Sequence, residues 1–244
     1  MMITTIKMII KRKGSDTLNK NGKEIGETIF IIIYLLFIVI SSFLLAFKNN
    51  YYILIMTLLL GIGDSFHLIP RLIKNIKGNF INSEFYLGLG TQISSITMTL
   101  FYLLLIYFFE IYSIDGSTPY TSVIPIFKDM TNALFQDFSI GTIVVLLVII
   151  RIIICLLPYN NWYKKEGNKE MSIIRNIPFL LIGIIALYFA FQNSFTYLGI
   201  LVFLSFLFYM PVALFAKRNK KLGILMIPKT ICYIMLILNL IIHF

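Results

Sequence analysis

Residues 28–47 read TIFIIIYLLFIVISSFLLAF, a run of twenty residues without a charged side chain. An α-helix rises about 1.5 Å per residue, so a helix of this length spans the roughly 30 Å of a bilayer's hydrocarbon core. Six further stretches have the same apolar character. The sequence therefore predicts an all-α, polytopic transmembrane bundle with about seven spans, at residues 28–47, 51–70, 85–109, 138–157, 176–193, 197–216 and 222–243.

The composition of the whole chain excludes a water-soluble protein. Of its 244 residues, 59% are hydrophobic and only 13% are charged, which is too few to cover a soluble surface. The net charge of +10 does not indicate a nucleic-acid partner, because the basic residues are scattered between apolar spans. Cys155 and Cys232 lie in apolar runs without CxxC spacing, so neither a disulfide framework nor a zinc site is expected.

The basic residues alternate between the predicted loops, and this alternation predicts the orientation of the chain. Outside the spans, 17 Lys and Arg residues fall on one side, and only Lys48 and Lys128 fall on the other. Cytoplasmic loops retain Lys and Arg, so we expect a cytoplasmic N-terminus and an external C-terminus in a bacterial cytoplasmic membrane. The chain divides into a basic cytoplasmic arm, 1–27, and one bundle domain, 28–244. The external segment 123–138 is expected to form either a short surface or re-entrant helix or a plain loop.

Helix two carries ionisable side chains at membrane depth, where such groups are costly and are functional candidates by default. Its sequence from Gly61 to Arg71 is GIGDSFHLIPR. Asp64, His67 and Arg71 are spaced i, i+3 and i+7, so they lie on one face of the helix. A short carboxylate at this depth must pair with a cation or take up a proton.

Polar residues of other helices are predicted to share the level of Asp64. Four residues lie seven or eight positions from the cytoplasmic end of their spans, at a depth of about 10–12 Å: Asp64, Gln92, Arg151 and Lys229. Ser95 continues the polar face of helix three, and Tyr233 lies one turn after Lys229. We expect helices two, three and seven to be mutual neighbours, since none can leave such a face in lipid. The flanking glycines allow close helix approach or leave room for a ligand: Gly61, Gly63, Gly88 and Gly90.

The shared level predicts an intramembrane polar site near the cytoplasmic side. Asp64 and His67 are the candidate catalytic residues, because a carboxyl group and an imidazole supply general acid–base chemistry. The candidate substrate-binding residues offer positive charge or hydrogen bonds to a headgroup: Arg71, Gln92, Ser95, Arg151, Lys229 and Tyr233. Structural alternatives stay open, namely an ion pair of Asp64 with Lys229 or Arg151, and snorkelling of either cation to the headgroups. His67 can equally be an interior histidine, and Gln92 and Ser95 can be residues that hydrogen-bond one helix to another.

Two short motifs resemble a known family. Gly63-Asp64 in an apolar helix, followed by Phe85-x-x-Gly88 at the start of the next polar helix, is similar to the YhhN family of lysoplasmalogenases. The resemblance covers about forty residues. It implies hydrolysis of the vinyl-ether bond of lysoplasmalogens, with Asp64 as the acid. The chain departs from the family in having seven predicted spans where eight are typical, and Gln92 where a histidine is expected.

Three functions fit these observations. The first is an intramembrane enzyme that acts on lipids, anionic or lysolipid, without a metal or other cofactor, since the two histidines lie at distant depths. The second is a small-solute or ion transporter, in which Asp64 alternates between Lys229 and a substrate or proton. The third is a non-catalytic membrane component whose basic face binds anionic lipid or a partner. The shared polar level favours the first two.

Overall fold

The computed structural model describes residues 2–78, 81–115, 140–164, 167–215 and 220–244. These residues form α-helices joined by turns, and the described ranges contain no strand. The α-helices are α1 Met2–Phe47, α2 Tyr51–Lys77, α3 Ser83–Asp115, α4 Ile140–Leu156, α5 Lys169–Gln192, α6 Thr196–Phe215 and α7 Met226–His243. Short 3₁₀ helices at Pro158–Asn160 and Lys220–Leu225 precede α5 and α7.

Six of the described helices are long and apolar enough to cross a membrane. α4 is also apolar but is shorter, at 17 residues. The prediction of an all-helical, membrane-like bundle is therefore confirmed, and the chain is an integral membrane protein. The predicted start of the fourth span at 138 and the segment 123–138 lie outside the described residues.

Several helices extend beyond the predicted apolar spans. α1 begins at Met2 and so includes the basic arm, α2 continues to Lys77, and α5 begins at Lys169. Polar residues continue a helix past the hydrocarbon, where hydropathy carries no signal. α7 is instead shorter than its predicted span. Its α-helix begins only at Met226, because a 3₁₀ helix occupies the predicted start of the span.

Prolines within the described helices are accommodated by their neighbours. Three lie inside helices: Pro70, Pro178 and Pro211. A proline deprives the carbonyl four residues earlier of its amide donor. For Pro70 this is the Phe66 carbonyl, which lies where a side chain on Gly90 of α3 would stand, so α3 covers it. Pro228 falls in the first turn of α7, where its missing amide costs little.

α3 is the most buried of the candidate spans. It packs against α2, α4 and α5, while α2 also packs against α1 and α7. α6 packs against both α5 and α7, and α1 contacts α7. Tyr102 of α3 and Tyr233 of α7 share a hydrogen bond of 3.1 Å between their hydroxyls. Helices two, three and seven, here α2, α3 and α7, therefore contact one another as the sequence predicts.

The two ends of the bundle are built differently. We call the end at which α2 ends and α3 begins the basic end, and the other the far end. In the half toward the far end, the buried Phe108 ring lies 6.2 Å from Tyr52, 5.7 Å from Phe195 and 5.2 Å from Phe244, measured between ring centroids. Lys48 donates to the Ile241 carbonyl at 2.6 Å and ties α1 to α7 at that end. Interlocked aromatic rings thus fill the far half.

Candidate functional site

In the described part of the chain, three cavities lie in the half toward the basic end, one of which, about 310 Å³ in volume, lies beside the turn that follows α4. The other two adjoin each other. The groove, about 300 Å³ in volume, lies between α1, α2 and α7, and its walls include Phe30, Ile31, Asp64, Leu68, Arg71 and Ile227. The inner cavity, about 80 Å³, lies deeper among the helices, and its walls include Ser94, Ser95, Met98, Arg151, Phe179 and Tyr209. Three residues line both, namely His67, Met226 and Lys229. The groove and the inner cavity therefore adjoin at these three side chains.

Asp64 lies on the wall of the groove and accepts hydrogen bonds from both helices that flank α2. The Tyr34 hydroxyl of α1 donates to Oδ2 at 2.8 Å, and the Ser94 hydroxyl of α3 donates to Oδ1 at 3.3 Å. Asp64 forms no ion pair with Lys229 or Arg151, all three side chains being described. The direct ion pair considered from the sequence is therefore not formed, because two neutral hydroxyls satisfy the carboxyl oxygens instead.

His67 is oriented by the next helix. Its Nδ1 lies 3.3 Å from the Thr91 hydroxyl, which itself donates to the Leu87 carbonyl at 2.8 Å. A hydroxyl carries one proton, so when that proton points to Leu87 the Nδ1 atom is the donor in the contact with Thr91. The neutral imidazole then has its lone pair on Nε2. His67 can therefore accept a proton at Nε2 beside Asp64.

Arg151 and Lys229 bring two positive charges to the inner cavity. Arg151 is 1% exposed and Lys229 is 5% exposed, so neither side chain snorkels to the headgroups. The Arg151 guanidinium lies 3.5 Å from the Phe179 ring centroid. Its Nε and Nη1 have no hydrogen-bond partner among the described residues. The Lys229 Nζ lies 5.2 Å from the ring centroids of Tyr209 and Tyr233, so both cations are held against aromatic faces.

Close contact of α2 and α3 brings their polar faces together. A side chain at Gly63 would collide with Thr97 of α3, and one at Gly90 would collide with the α2 backbone. The two helices therefore approach closely at these glycines, as the sequence predicts. Gly61 and Gly88 face other elements, namely α1 and the turn that follows α4.

Gln92 lines neither the groove nor the inner cavity but lines the cavity beside the turn that follows α4. Its amide nitrogen donates to the Cys155 carbonyl at 3.2 Å, and its amide oxygen accepts from the Tyr163 hydroxyl at 3.1 Å. Each residue of an α-helix is rotated by about 100° from the one before it. When Thr91 and Ser95 face the inner cavity, Gln92 is consequently turned toward α4 and the segment after it. There it joins α3 to that segment.

Two other predicted binding residues have partners within the protein. Tyr233 is fully surrounded and shares its hydroxyl with Tyr102, whose own hydroxyl also lies 3.1 Å from Ser205. Arg71 lines the groove and forms an ion pair with Glu27 of α1. Both of these side chains are partly exposed, so the pair lies at the outer part of the groove.

Several residues of the site are missing from the sequence-based prediction. The clearest is Tyr34, the donor to Asp64. A tyrosine in the middle of an apolar span is a detectable signal, because membrane tyrosines otherwise collect at the interfaces. The sequence also contains a signal for Ser94 and Thr91, since hydroxyl residues line one face of α3. Which of them meets α2 is set by helix rotation, which the sequence does not fix.

The residues of the site supply acid–base groups and cations. Among the described residues, no group of three His, Cys, Asp or Glu side chains could hold a metal ion. Asp64 and His67 can exchange protons at the wall of the groove, and Arg151 and Lys229 can attract an anion. The chain matches no family model, no curated protein and no solved structure.

Proposed function

We propose that this protein is a membrane hydrolase that acts on a single-chain lipid taken up by the groove. The observation that carries the proposal is the position of Asp64 and His67 on the wall of a largely apolar groove of about 300 Å³. An apolar channel accepts a hydrocarbon chain, and a few polar groups at its inner end orient the rest of the ligand. The acid–base pair then stands near the bond that joins the chain to its headgroup.

The resemblance of Gly63-Asp64 and Phe85-x-x-Gly88 to the YhhN family supports a vinyl-ether bond as the target. In that reaction the protonated Asp64 carboxyl gives its proton to the vinyl carbon. Water adds to the resulting oxocarbenium ion and returns a proton to the carboxylate. The hemiacetal then collapses to a long-chain aldehyde and the free glycerol hydroxyl, so one water is consumed and the acid is regenerated.

The surrounding residues have distinct roles in this proposal. Tyr34 and Ser94 hold the Asp64 carboxyl in one orientation. Thr91 fixes the His67 ring, whose Nε2 can take the proton from the attacking water and pass it to the Asp64 carboxylate, which regenerates the acid. Lys229, at the junction of the groove and the inner cavity, attracts a negatively charged headgroup. Preorganised groups of this kind lower the barrier because they need no rearrangement during the reaction.

We further propose seven spans in the cell membrane of a bacterium, with a cytoplasmic N-terminus and an external C-terminus. The 17-to-2 distribution of basic residues supports this orientation. The basic end then faces the cytoplasm, and the groove takes its lipid from the cytoplasmic leaflet. Single-cysteine variants test it: an impermeant thiol reagent added to intact cells should modify Gln192→Cys but not Lys164→Cys. Modification of only the Lys164→Cys protein would invert the topology.

The packing of the far half supports this function over the transporter alternative. A transporter needs access to its site from both sides of the membrane. In the described residues, both cavities lie toward the basic end, and buried aromatic rings such as Phe101 and Phe108 occupy the far half. The non-catalytic alternative leaves unexplained why Asp64 and His67 should both line the groove.

The deciding experiment is a lysoplasmalogen hydrolysis assay with the purified chain. Asp64→Asn should lower the rate of aldehyde release by about 100-fold or more, because the amide keeps the shape but does not deliver the proton. Glu110→Gln, which changes an acid on α3 toward the far end, is the matched control and should retain the rate. Absence of aldehyde release by the unaltered protein, or full activity of Asp64→Asn, contradicts the proposal.

A further inference from the structure

The inner cavity has an unbalanced positive charge. Two cations line it, Arg151 and Lys229, and its other walls are hydroxyl, imidazole, aromatic and thioether groups without a carboxylate. The nearest acid of the site, Asp64, lies on the groove side and is bonded to hydroxyls. The charge of the two cations is therefore not neutralised by a direct ion pair.

Arg151 in particular lacks a charged partner among the described residues, since its side-chain hydrogen bond is to the Cys155 thiol. It is 1% exposed, and both Nε and Nη1 are without a hydrogen-bond partner among the described residues. A buried cation is costly unless it is paired and hydrogen-bonded. The Phe179 ring below it compensates in part, through its π face, but accepts no conventional hydrogen bond. Because Arg151 also lines the inner cavity, its guanidinium is suited to an oxyanion bound there.

We propose that the inner cavity is a binding site for a phosphate group, with Arg151 as its main ligand and Lys229 as the second. Arg presents a planar set of donors that matches phosphate oxygens, and Lys adds a point charge. The hydroxyls of Ser94, Ser95 and Tyr209 in the same cavity already donate to Asp64, the Thr91 carbonyl and Asn176, so the two cations carry the proposed site. A volume of about 80 Å³ holds a group of a few non-hydrogen atoms but not a hydrocarbon chain.

The connection between the two cavities gives the phosphate a place beside the lipid chain, and this step rests on the proposed function. His67 and Lys229 line both cavities, so a ligand can place its chain in the groove and its phosphate in the inner cavity. The glycerol carbons that join them then lie beside Asp64 and His67. The lysoplasmalogen of the proposed function is a ligand of this kind, and the inner cavity is where its phosphate binds. Free phosphate or a soluble phosphate ester offers the same chemistry to Arg151 without a chain.

Binding is measured by the thermal unfolding midpoint of the full chain in uncharged detergent. The probes are 1-O-alkyl-glycerol 3-phosphate, the matching 1-O-alkyl-glycerol, inorganic phosphate, and chloride at equal ionic strength. These probes contain a saturated ether and no vinyl ether, so the proposed reaction does not hydrolyse them during the measurement. We expect the phosphorylated amphiphile to bind at least about tenfold more tightly than the neutral one. If inorganic phosphate raises the unfolding midpoint more than chloride does, the site also binds free phosphate. If inorganic phosphate raises it no more than chloride does, the site binds the phosphate of a lipid headgroup only.

Arg151→Gln should remove most of this preference, and Lys229→Met should reduce it and serves if Arg151→Gln does not fold. The matched control is Arg175→Gln, because the guanidinium of Arg175 already donates to Asn160 and Ser172. That variant should keep the preference. Equal binding of both amphiphiles, with phosphate no better than chloride, overturns the proposal, as does an unchanged preference in both Arg151→Gln and Lys229→Met.

The outcome is independent of catalysis. If the phosphate preference depends on Arg151 but the hydrolysis assay shows no aldehyde release, the proposed anion site stands and the proposed hydrolase is wrong. If aldehyde release depends on Asp64 but there is no phosphate preference, the proposed hydrolase stands and the proposed anion site is wrong.

Discussion

The far half and the basic half of the bundle are built from the same helices, but the far half is filled with aromatic rings and the basic half contains cavities. In the far half, the aromatic rings of Phe108, Phe195 and Phe244 interlock. In the basic half, α2 and α3 meet at Gly63 and Gly90, and two cavities lie beside them. The comparison indicates that packing in the far half stabilises the bundle, so the basic half can hold polar groups that packing alone does not favour.

The hydrogen bonds of Asp64 differ from those of two side chains of the far half, Tyr52 and Asn193. Tyr52 donates to the Leu104 carbonyl at 2.5 Å, and Asn193 donates to the Phe109 carbonyl at 2.8 Å. The bonds of Asp64 join side chain to side chain. A backbone carbonyl offers a fixed structural acceptor, whereas a side-chain network can change its protonation or its partner. The bonds of Tyr52 and Asn193 are therefore typical of a scaffold, and those of Asp64 of a functional site.

The largest expected effect is on stability in the far half. Phe108→Ala should lower the free energy of unfolding in detergent by about 3–5 kcal/mol, because it leaves a cavity among buried rings. Lysolipid hydrolysis per folded molecule should be unchanged. The control is Phe203→Ala on α6, whose ring is exposed on the bundle surface and should matter little. A selective loss of activity in the Phe108→Ala protein would break the distinction between the halves.

Gly90→Ala should disturb the basic half through the contact of α2 with α3. The new methyl group collides with the α2 backbone, which has no flexible side chain to move aside, so overpacking should cost about 1–3 kcal/mol. The Asp64 carboxyl and the hydroxyl of Ser94 should separate, and activity should fall with stability. Gly26→Ala is the control, since no atom lies within 4 Å of the added group. An unchanged unfolding midpoint for Gly90→Ala would mean that the helices do not touch there.

Tyr34→Phe should remove one hydrogen bond from Asp64 without creating a cavity. We expect a loss of about 1–2 kcal/mol, the usual contribution of a buried hydrogen bond to an ionisable group. Urea or thermal unfolding measures it, and the hydrolysis assay should show a lower maximal rate as the carboxyl loses its fixed orientation. Tyr188→Phe, on an exposed tyrosine of α5, should do neither. If the two variants behave alike, the Tyr34 hydroxyl does not support the site.

The smallest effect should come from the ion pair at the outer groove. Glu27→Gln breaks the contact with Arg71, and because both side chains are about a third exposed the loss should be about 0–1 kcal/mol. The loss should shrink further at high salt, where exposed charges are screened. Glu84→Gln, on a surface acid of α3, is the control. A loss of several kcal/mol that persists in high salt would place Glu27 among the buried groups of the site.

The periodicity of the sequence predicts the common face of Asp64, His67 and Arg71, and all three line the groove. It also predicts that Arg151 and Lys229 lie at one depth, and both line the inner cavity. Depth and face follow from the fixed rise and rotation of an α-helix, so counting along the chain suffices for them. The same counting also places Gln92 at that depth, although its side chain is turned toward α4.

Composition and helical periodicity therefore establish the class of protein and the level of its polar groups, because about twenty apolar residues without a charge have one stable state in a bilayer. The partners of those polar groups depend on how the helices pack. Asp64 accepts from Tyr34 and Ser94, and not from Lys229, because contacts at Gly63 and Gly90 set how α2 rests on α3. The rotation of one helix against another depends on such contacts between distant residues, and no local pattern encodes it.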